Sequence, residues 1–363
     1  MTDSKPTIVW FRKDLRLADN AALAEAVGLG GPIIPVFIWA PTEAGNWVPG
    51  GASCWWLHQA LASLGQSFDQ LGSPLILRQA ASSLDALRDL IRETGAGHVF
   101  WNRRYEAPLR EVDAEVKRAL YADGIEVKSF NSSLLNEPHT ASTGAGAPYK
   151  VYTPYWKKVK DREISPPADV DFSRWVVASD SVDSESLEQL GLMPKINWYG
   201  GMAAHWQVSE AAALERLDRF LDGPVDAYQT DRDRPDYEGT SSLAPYLHWG
   251  QIGPRQIYQA LAERCDLTKL GPSTYLKEIY WREFAYNVLY HFPETPDQPL
   301  RKEYASFPWE HDPEILKAWQ TGHTGYPIVD AGMRQLWLTG WMHNRVRMIV
   351  SSLLVKHLLH DWK

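Results

Sequence analysis

Five residues that could do chemistry crowd the start of a candidate helix late in the sequence: His343, Asn344, Arg345, Arg347 and Met348, with Trp341 just before them. A helix N-terminus presents unpaired N–H groups and the positive end of its dipole, so anions are favoured there. Two guanidiniums, an amide and an indole suit a ligand that is both flat and negatively charged. A second stretch, Gly239-Thr240-Ser241-Ser242-Leu243-Ala244-Pro245, sets three hydroxyls in a row before a proline. Such a bend can cradle a phosphate or simply cap a helix. Third, Glu278, Trp281, Arg282 and Ala285 fall at i, i+3, i+4 and i+7, one face of a helix. Carboxylate, indole and guanidinium together offer a hydrogen bond, a stacking plate and a charge to a planar heterocycle. The same spacing also describes an exposed Glu–Arg pair beside a packed Trp. Spacing alone leaves these alternatives open.

The elements that must position these groups fall into two regions, as expected for 363 residues. Apolar runs at residues 7–12, 32–39, 74–78, 98–101 and 125–130 read as strands. They alternate with helical stretches at 20–27, 53–71, 84–94 and 111–122, the pattern of a parallel sheet covered on both faces. Residues 131–205, rich in Ser, Gly, Pro and Asp, read as a linker. Beyond them the periodicity is helical: 210–221, 254–264, a helix capped by Ser273 and running to about 291, 314–320, 327–340, and 344–359. In the last pair, Ile328, Met333 and Leu336, and then Val346, Ile349, Val350, Leu353 and Leu354, are expected to face a core. The domain boundaries expected are 1–130, 131–205 and 206–363.

Composition narrows the classes. The chain holds 17 Trp, 16 Tyr and 10 Phe, enough for heavy core packing or for stacking surfaces. Its net charge of −8 excludes a uniformly basic nucleic-acid binder but not a local basic face. Two distant cysteines imply no disulfide framework or metal site, and the N-terminus has no apolar signal region. No apolar run approaches a membrane span. The expectation is a cytoplasmic protein, monomeric and away from membranes. No G-x-G-x-x-G follows the first strand, so a dinucleotide fingerprint is absent.

The segment from Gly325 to Met348, GYPIVDAGMRQLWLTGWMHNRVRM, closely resembles the flavin- and substrate-contacting core of the DNA photolyase/cryptochrome family. Trp10-Phe-Arg-Lys-Asp-Leu-Arg-Leu17 with Asp19-Asn20 resembles the opening of that family's antenna domain, and Tyr149-Lys-Val-Tyr-Thr-Pro-Tyr-Trp156 its linker. The resemblance implies a Rossmann-like α/β antenna domain joined to an all-helical FAD-binding domain. It implies blue-light-driven, FAD-dependent repair of cyclobutane pyrimidine dimers, a deoxyribodipyrimidine photo-lyase (carbon–carbon lyase) acting on UV-damaged DNA. Tyr228, Thr240, Ser241, Ser242, Leu243, Ala244, Tyr275, Arg282, Asn344 and Arg347 are then expected at the flavin. Arg232, Glu278, Trp281, Arg282, Arg345 and Met348 are expected at the DNA, with Glu278, Asn344 and Met348 at the reacting dimer. Trp309 and Trp362 match members of the family's tryptophan electron-transfer chain. A folate (methenyltetrahydrofolate) or another antenna chromophore is a further expected cofactor, although Pro108-Leu109 replace the Asn-Glu pair that holds folate in class I enzymes. Trp47 to His58 looks like the class III branch. Family members continue past the position of Lys363, so a C-terminally truncated sequence is expected. The alternative reading is a cryptochrome-like blue-light photoreceptor without repair; His-Asn-Arg-x-Arg-Met favours dimer repair.

Overall fold

The computed structural model describes residues 5–178 and 182–363. Five short apolar runs form the strands β1 (Thr7–Phe11), β2 (Ile33–Trp39), β3 (Ile76–Gln79), β4 (His98–Asn102) and β5 (Glu126–Phe130). All pairings are parallel, in the order β3-β2-β1-β4-β5. Helices α1 (Ala21–Leu29), α2 (Gly51–Gln70), α3 (Ser83–Thr94) and α4 (Ala107–Ala122) make the crossovers. The central strands β1 and β2 read as unbroken apolar runs because both faces are covered, whereas the edge strands β3 and β5 carry polar residues. Ile8, Trp10, Val36, Leu87 and Leu120 form one core, while Val9, Phe11 and Phe37 open into a second that continues into the helical domain. The expected parallel α/β sheet is present, and its strands lie within a few residues of the apolar runs. Helix α4 starts four residues earlier than the apolar pattern suggests, because Pro108 sits in its first turn where no N–H is needed.

The stretch between the domains holds more structure than expected of a linker. Tyr152–Val159 is a helix, α5, with Tyr155 and Val159 fully buried against Tyr280. Short helices α6 (Gly200–His205) and α8 (Tyr228–Asp231) flank α7 (Glu210–Leu221). Then follow α9 (Ala244–Trp249), α10 (Pro254–Arg264), α11 (Leu270–His291), α12 (Pro313–Gln320), α13 (Pro327–Thr339) and α14 (Asn344–Ser352). Three expectations are corrected. Ser273 does not cap α11: the helix begins at Leu270, and Pro272 in its first turn fits without an N–H. The last helix does not run to Leu359. It ends at Ser352 and widens into a π turn, Leu353–His357, and Leu359 then takes a left-handed φ of 50°. Ile328 and Ile349 are each 42% exposed. The α13–α14 seam is made instead by Val329, Met333, Val346 and Val350, with Gly332 closest to Val346.

The opening motif of the sequence is the joint between the domains. Arg16, buried, donates to Gly250 O at 2.8 Å and to Asp19 and Ser132. The Glu210 carboxylate accepts from Leu17 N at 2.8 Å and Ala18 N at 2.9 Å. Gly250, at φ 72°, ends α9, and a Cβ there would lie 2.1 Å from Lys13 O. Only glycine allows that backbone conformation and that approach together. Among the described residues no helix is long and apolar enough to cross a membrane.

Candidate active site

Three elements converge on one cleft. The loop before α9 supplies Thr240, Ser241 and Ser242; α7 supplies Arg216 and Arg219; the α13–α14 junction supplies Trp341 and His343. The cleft encloses about 390 Å³, within the range of small-molecule sites. Ser242 sits at φ 50°, an unusual conformation for a residue with a Cβ, which the surrounding structure must hold. Behind the loop, Tyr275 donates to Ser241 Oγ at 3.0 Å, and its ring packs on Phe220 and Tyr228. Burial pushes the Tyr275 phenol well above its ordinary range, so it stays a donor.

Two nitrogens on lining residues lack partners. Arg216 Nε and His343 Nε2 are buried with no hydrogen bond among the described residues. The Arg216 guanidinium lies 4.8 Å above the Trp206 ring. His343 Nδ1 accepts from Arg345 N at 3.2 Å, so in the neutral ring Nε2 carries the hydrogen. Burial, helped by Arg345, keeps His343 below its ordinary pKa and neutral. Hydroxyls, guanidiniums and an unpartnered N–H together suit a phosphate-bearing nucleotide.

A chain of ion pairs runs beside this cleft. Arg345 Nε lies 2.5 Å from Asp233, Asp233 lies 3.9 Å from Arg232 Nε, and Arg232 Nη1 donates to Glu278 Oε1 at 2.6 Å. The pairs are part-exposed and each contributes at most about 1 kcal/mol. Their consequence is placement, because they tie α14 to α11 through the end of α8. Met348 is exposed, its sulfur 3.5 Å from Arg345 Nη1.

Several expected residues lie elsewhere. Trp281 is not a bare plate: Tyr152 stacks on it at 3.7 Å and 10°, although Trp281 remains 46% exposed. Arg282 turns toward the domain joint, donating to Ser133 O at 2.7 Å and to Leu247 O at 3.4 Å. A helix face spreads its long side chains, so Glu278, Trp281 and Arg282 diverge to three neighbours despite their spacing. Leu243 is buried in the core, and Ala244 begins α9 outside the cleft. Tyr228 is buried behind Arg232. Asn344 and Arg347 are exposed on α14 and do not line the cleft. Trp309 and Trp362 touch edge to face at 5.6 Å. Sequence reasoning missed Arg216, Arg219, Asp233 and Tyr152. The i, i+3 arginine pair on α7 was a visible signal for the first two; the others were placed only by folding.

The fold and this cleft define a two-domain protein, an α/β sheet domain docked on a helical domain with a nucleotide-type cleft. The sequence profile of DNA photolyase matches residues 7–171, and that of the FAD binding domain of DNA photolyase matches residues 275–363. The deoxyribodipyrimidine photo-lyase of Agrobacterium fabrum is 45% identical over 361 residues, covering 99% of this chain and 74% of that protein. Cryptochrome-2 of Arabidopsis thaliana is 39% identical, covering 100% of this chain and 61% of that protein. The crystal structure of a bacterial class III photolyase from Agrobacterium tumefaciens superposes with a TM-score of 0.93 at 44% identity, covering 100% of this chain and 75% of that one. The chain belongs to the DNA photolyase/cryptochrome family, and FAD is the cofactor its helical domain is built to bind.

Proposed function

We propose that the protein repairs cyclobutane pyrimidine dimers in DNA under blue light, with FAD in the Thr240–Ser242 cleft. The observation that carries this reading is the Arg345–Asp233–Arg232–Glu278 chain beside that cleft. It sets an acid and two guanidiniums where a base flipped from a duplex could be met, and Trp281, one turn along α11 from Glu278, stays 46% exposed.

The residues divide the work. Thr240, Ser241, Ser242 and Arg216 hold the cofactor's phosphates, and His343 Nε2 donates a further hydrogen bond. Bound and reduced, FAD supplies a light-excited electron donor. Glu278 accepts from the pyrimidine edge while Arg232 fixes the carboxylate. Trp281, backed by Tyr152, stacks on the extruded bases. Arg345 and Met348 lie at the mouth, where flanking phosphates and the dimer enter. Asn344 joins them at the dimer, and Arg347 lies one turn along α14. Trp309 and Trp362 are close enough to pass an electron between rings. Domain limits of 1–130, 131–205 and 206–363 fit this division, with α5 as a structured part of the middle segment.

A flat second pigment, a folate (methenyltetrahydrofolate) or another antenna, has a place at the carboxyl ends of β1 and β4. There the strand order reverses, the usual ligand crevice of such sheets. A groove of about 400 Å³ lies there, lined by Lys13, Trp47, Pro108, Leu109 and Leu289 among others. The rival reading, a photoreceptor that does not repair, rests on the likeness to cryptochrome-2. Dimer-containing DNA illuminated with blue light in the presence of the reduced holoprotein separates the two. Loss of dimers, abolished in Glu278→Ala, supports repair; retention of every dimer with flavin bound and reduced overturns it.

A further inference from the structure

The stacked pair Trp281–Tyr152 lies outside the cleft and joins α11 to α5. Tyr152 is the first residue of α5 and donates to Lys277 O at 2.9 Å, which locks α5 against α11. One turn further along α5, Trp156 carries two ammonium groups against its ring, Lys277 at 5.3 Å and Lys160 at 5.5 Å. The opposite face of α5 is closed by buried Tyr155 and Val159, which forces Lys157, Lys158 and Lys160 outward. Residues 150–163 hold five cations (Lys150, Lys157, Lys158, Lys160, Arg162) against two acids (Asp161, Glu163), in a chain whose net charge is −8. Lys160 is shared with Asp161 at 3.0 Å, but among the described residues neither Lys157 nor Lys277 makes an ion pair. Glu278, the nearest acid of α11 in sequence, is taken by Arg232.

Rings interleaved with ammonium groups make a surface for a nucleic-acid strand: the charges follow phosphates and the rings take bases or sugars. We propose that the strip Trp281, Tyr152, Lys277, Trp156, Lys160 and Lys157 seats the DNA strand flanking the flipped pyrimidines. The stretch between the domains then contributes directly to DNA binding. The inference rests on the repair reading for the position of the flipped bases.

The experiment measures the affinity of the purified holoprotein, in the dark, for irradiated and plain duplex at several salt concentrations. It compares the wild type with Lys157→Ala/Lys277→Ala. Each lost phosphate contact lowers the slope of log K against log salt by roughly 0.9. The double variant is expected to lose about 1.8 from that slope on both DNAs, with the ratio of the two affinities kept and the thermal melt unchanged. A slope equal to that of the wild type overturns the proposal. If the double variant melts early, Lys157→Gln/Lys160→Gln, both exposed members of the strip, gives the same reading. A wild type that does not distinguish irradiated from plain DNA overturns the repair reading instead, and the change in slope still decides whether the strip binds DNA.

Discussion

Glu283 is a buried acid whose proton should be visible in stability. Its carboxylate accepts from Leu135 N and Asn136 N, the latter at 2.8 Å, and from Asn136 Nδ2 at 3.3 Å. It therefore fastens the start of the inter-domain segment to α11. Burial pushes the carboxyl up to about 7, against the pull of the two amides and Arg282. Between the ordinary value of 4.5 and about 7, the native protein keeps a proton that the unfolded chain has released. The unfolded state then binds fewer protons, so stability falls as pH rises through that window and levels off above it. The size is on the order of 3 kcal/mol, from about 1.4 kcal/mol per unit. In Glu283→Gln the titration is gone. One amide keeps its oxygen acceptor, and the other faces an NH₂ at a pH-independent cost of roughly 1–3 kcal/mol. Urea unfolding of both proteins from pH 5 to pH 8 is the assay. The wild type should be the more stable at pH 5, and its lead should shrink by most of that 3 kcal/mol by pH 8. A lead that stays constant across the range would refute the reasoning, because then Glu283 does not titrate between the native and unfolded states.

Other outcomes follow from the same contacts. Ser241→Ala orphans the buried Tyr275 hydroxyl and should lower stability by about 1–3 kcal/mol in urea unfolding, while Tyr275→Phe in that background should recover part of it. Arg216→Leu removes the cleft guanidinium whose buried Nε has no partner and should weaken FAD binding at least tenfold, read by flavin fluorescence on titration. Tyr152→Ala uncovers one face of Trp281 and should cost about 0.5–1.5 kcal/mol of stability beyond the lost area, with weaker binding of irradiated DNA in a filter assay. Trp309→Phe breaks the edge-to-face contact with Trp362 and should slow light-driven reduction of bound flavin, followed by absorbance, without lowering the melting temperature by more than a few degrees.

The periodicities of the chain by themselves determined the alternation of strand and helix in the first domain and the longer helices of the second, but not the short helices α6, α8 and α9. Apolar runs of five to seven residues, such as Thr7–Phe11 and Ile33–Trp39, fit strands buried on both faces, and their alternation with helical stretches points to a parallel sheet. Proline and glycine punctuation placed the ends of α13, from Pro327 to the left-handed Gly340. The same residues could not say which partner each side chain would meet. Spacing put Glu278, Trp281 and Arg282 on one face, yet Arg232, Tyr152 and the Ser133 carbonyl, all distant in sequence, draw them apart. Asp233 joins Arg345 across 112 positions, and no local rule predicts that pair. Helix-forming tendency is set within a turn or two of chain, whereas the cleft is set by how whole helices dock, and docking is decided by buried area summed over the entire core.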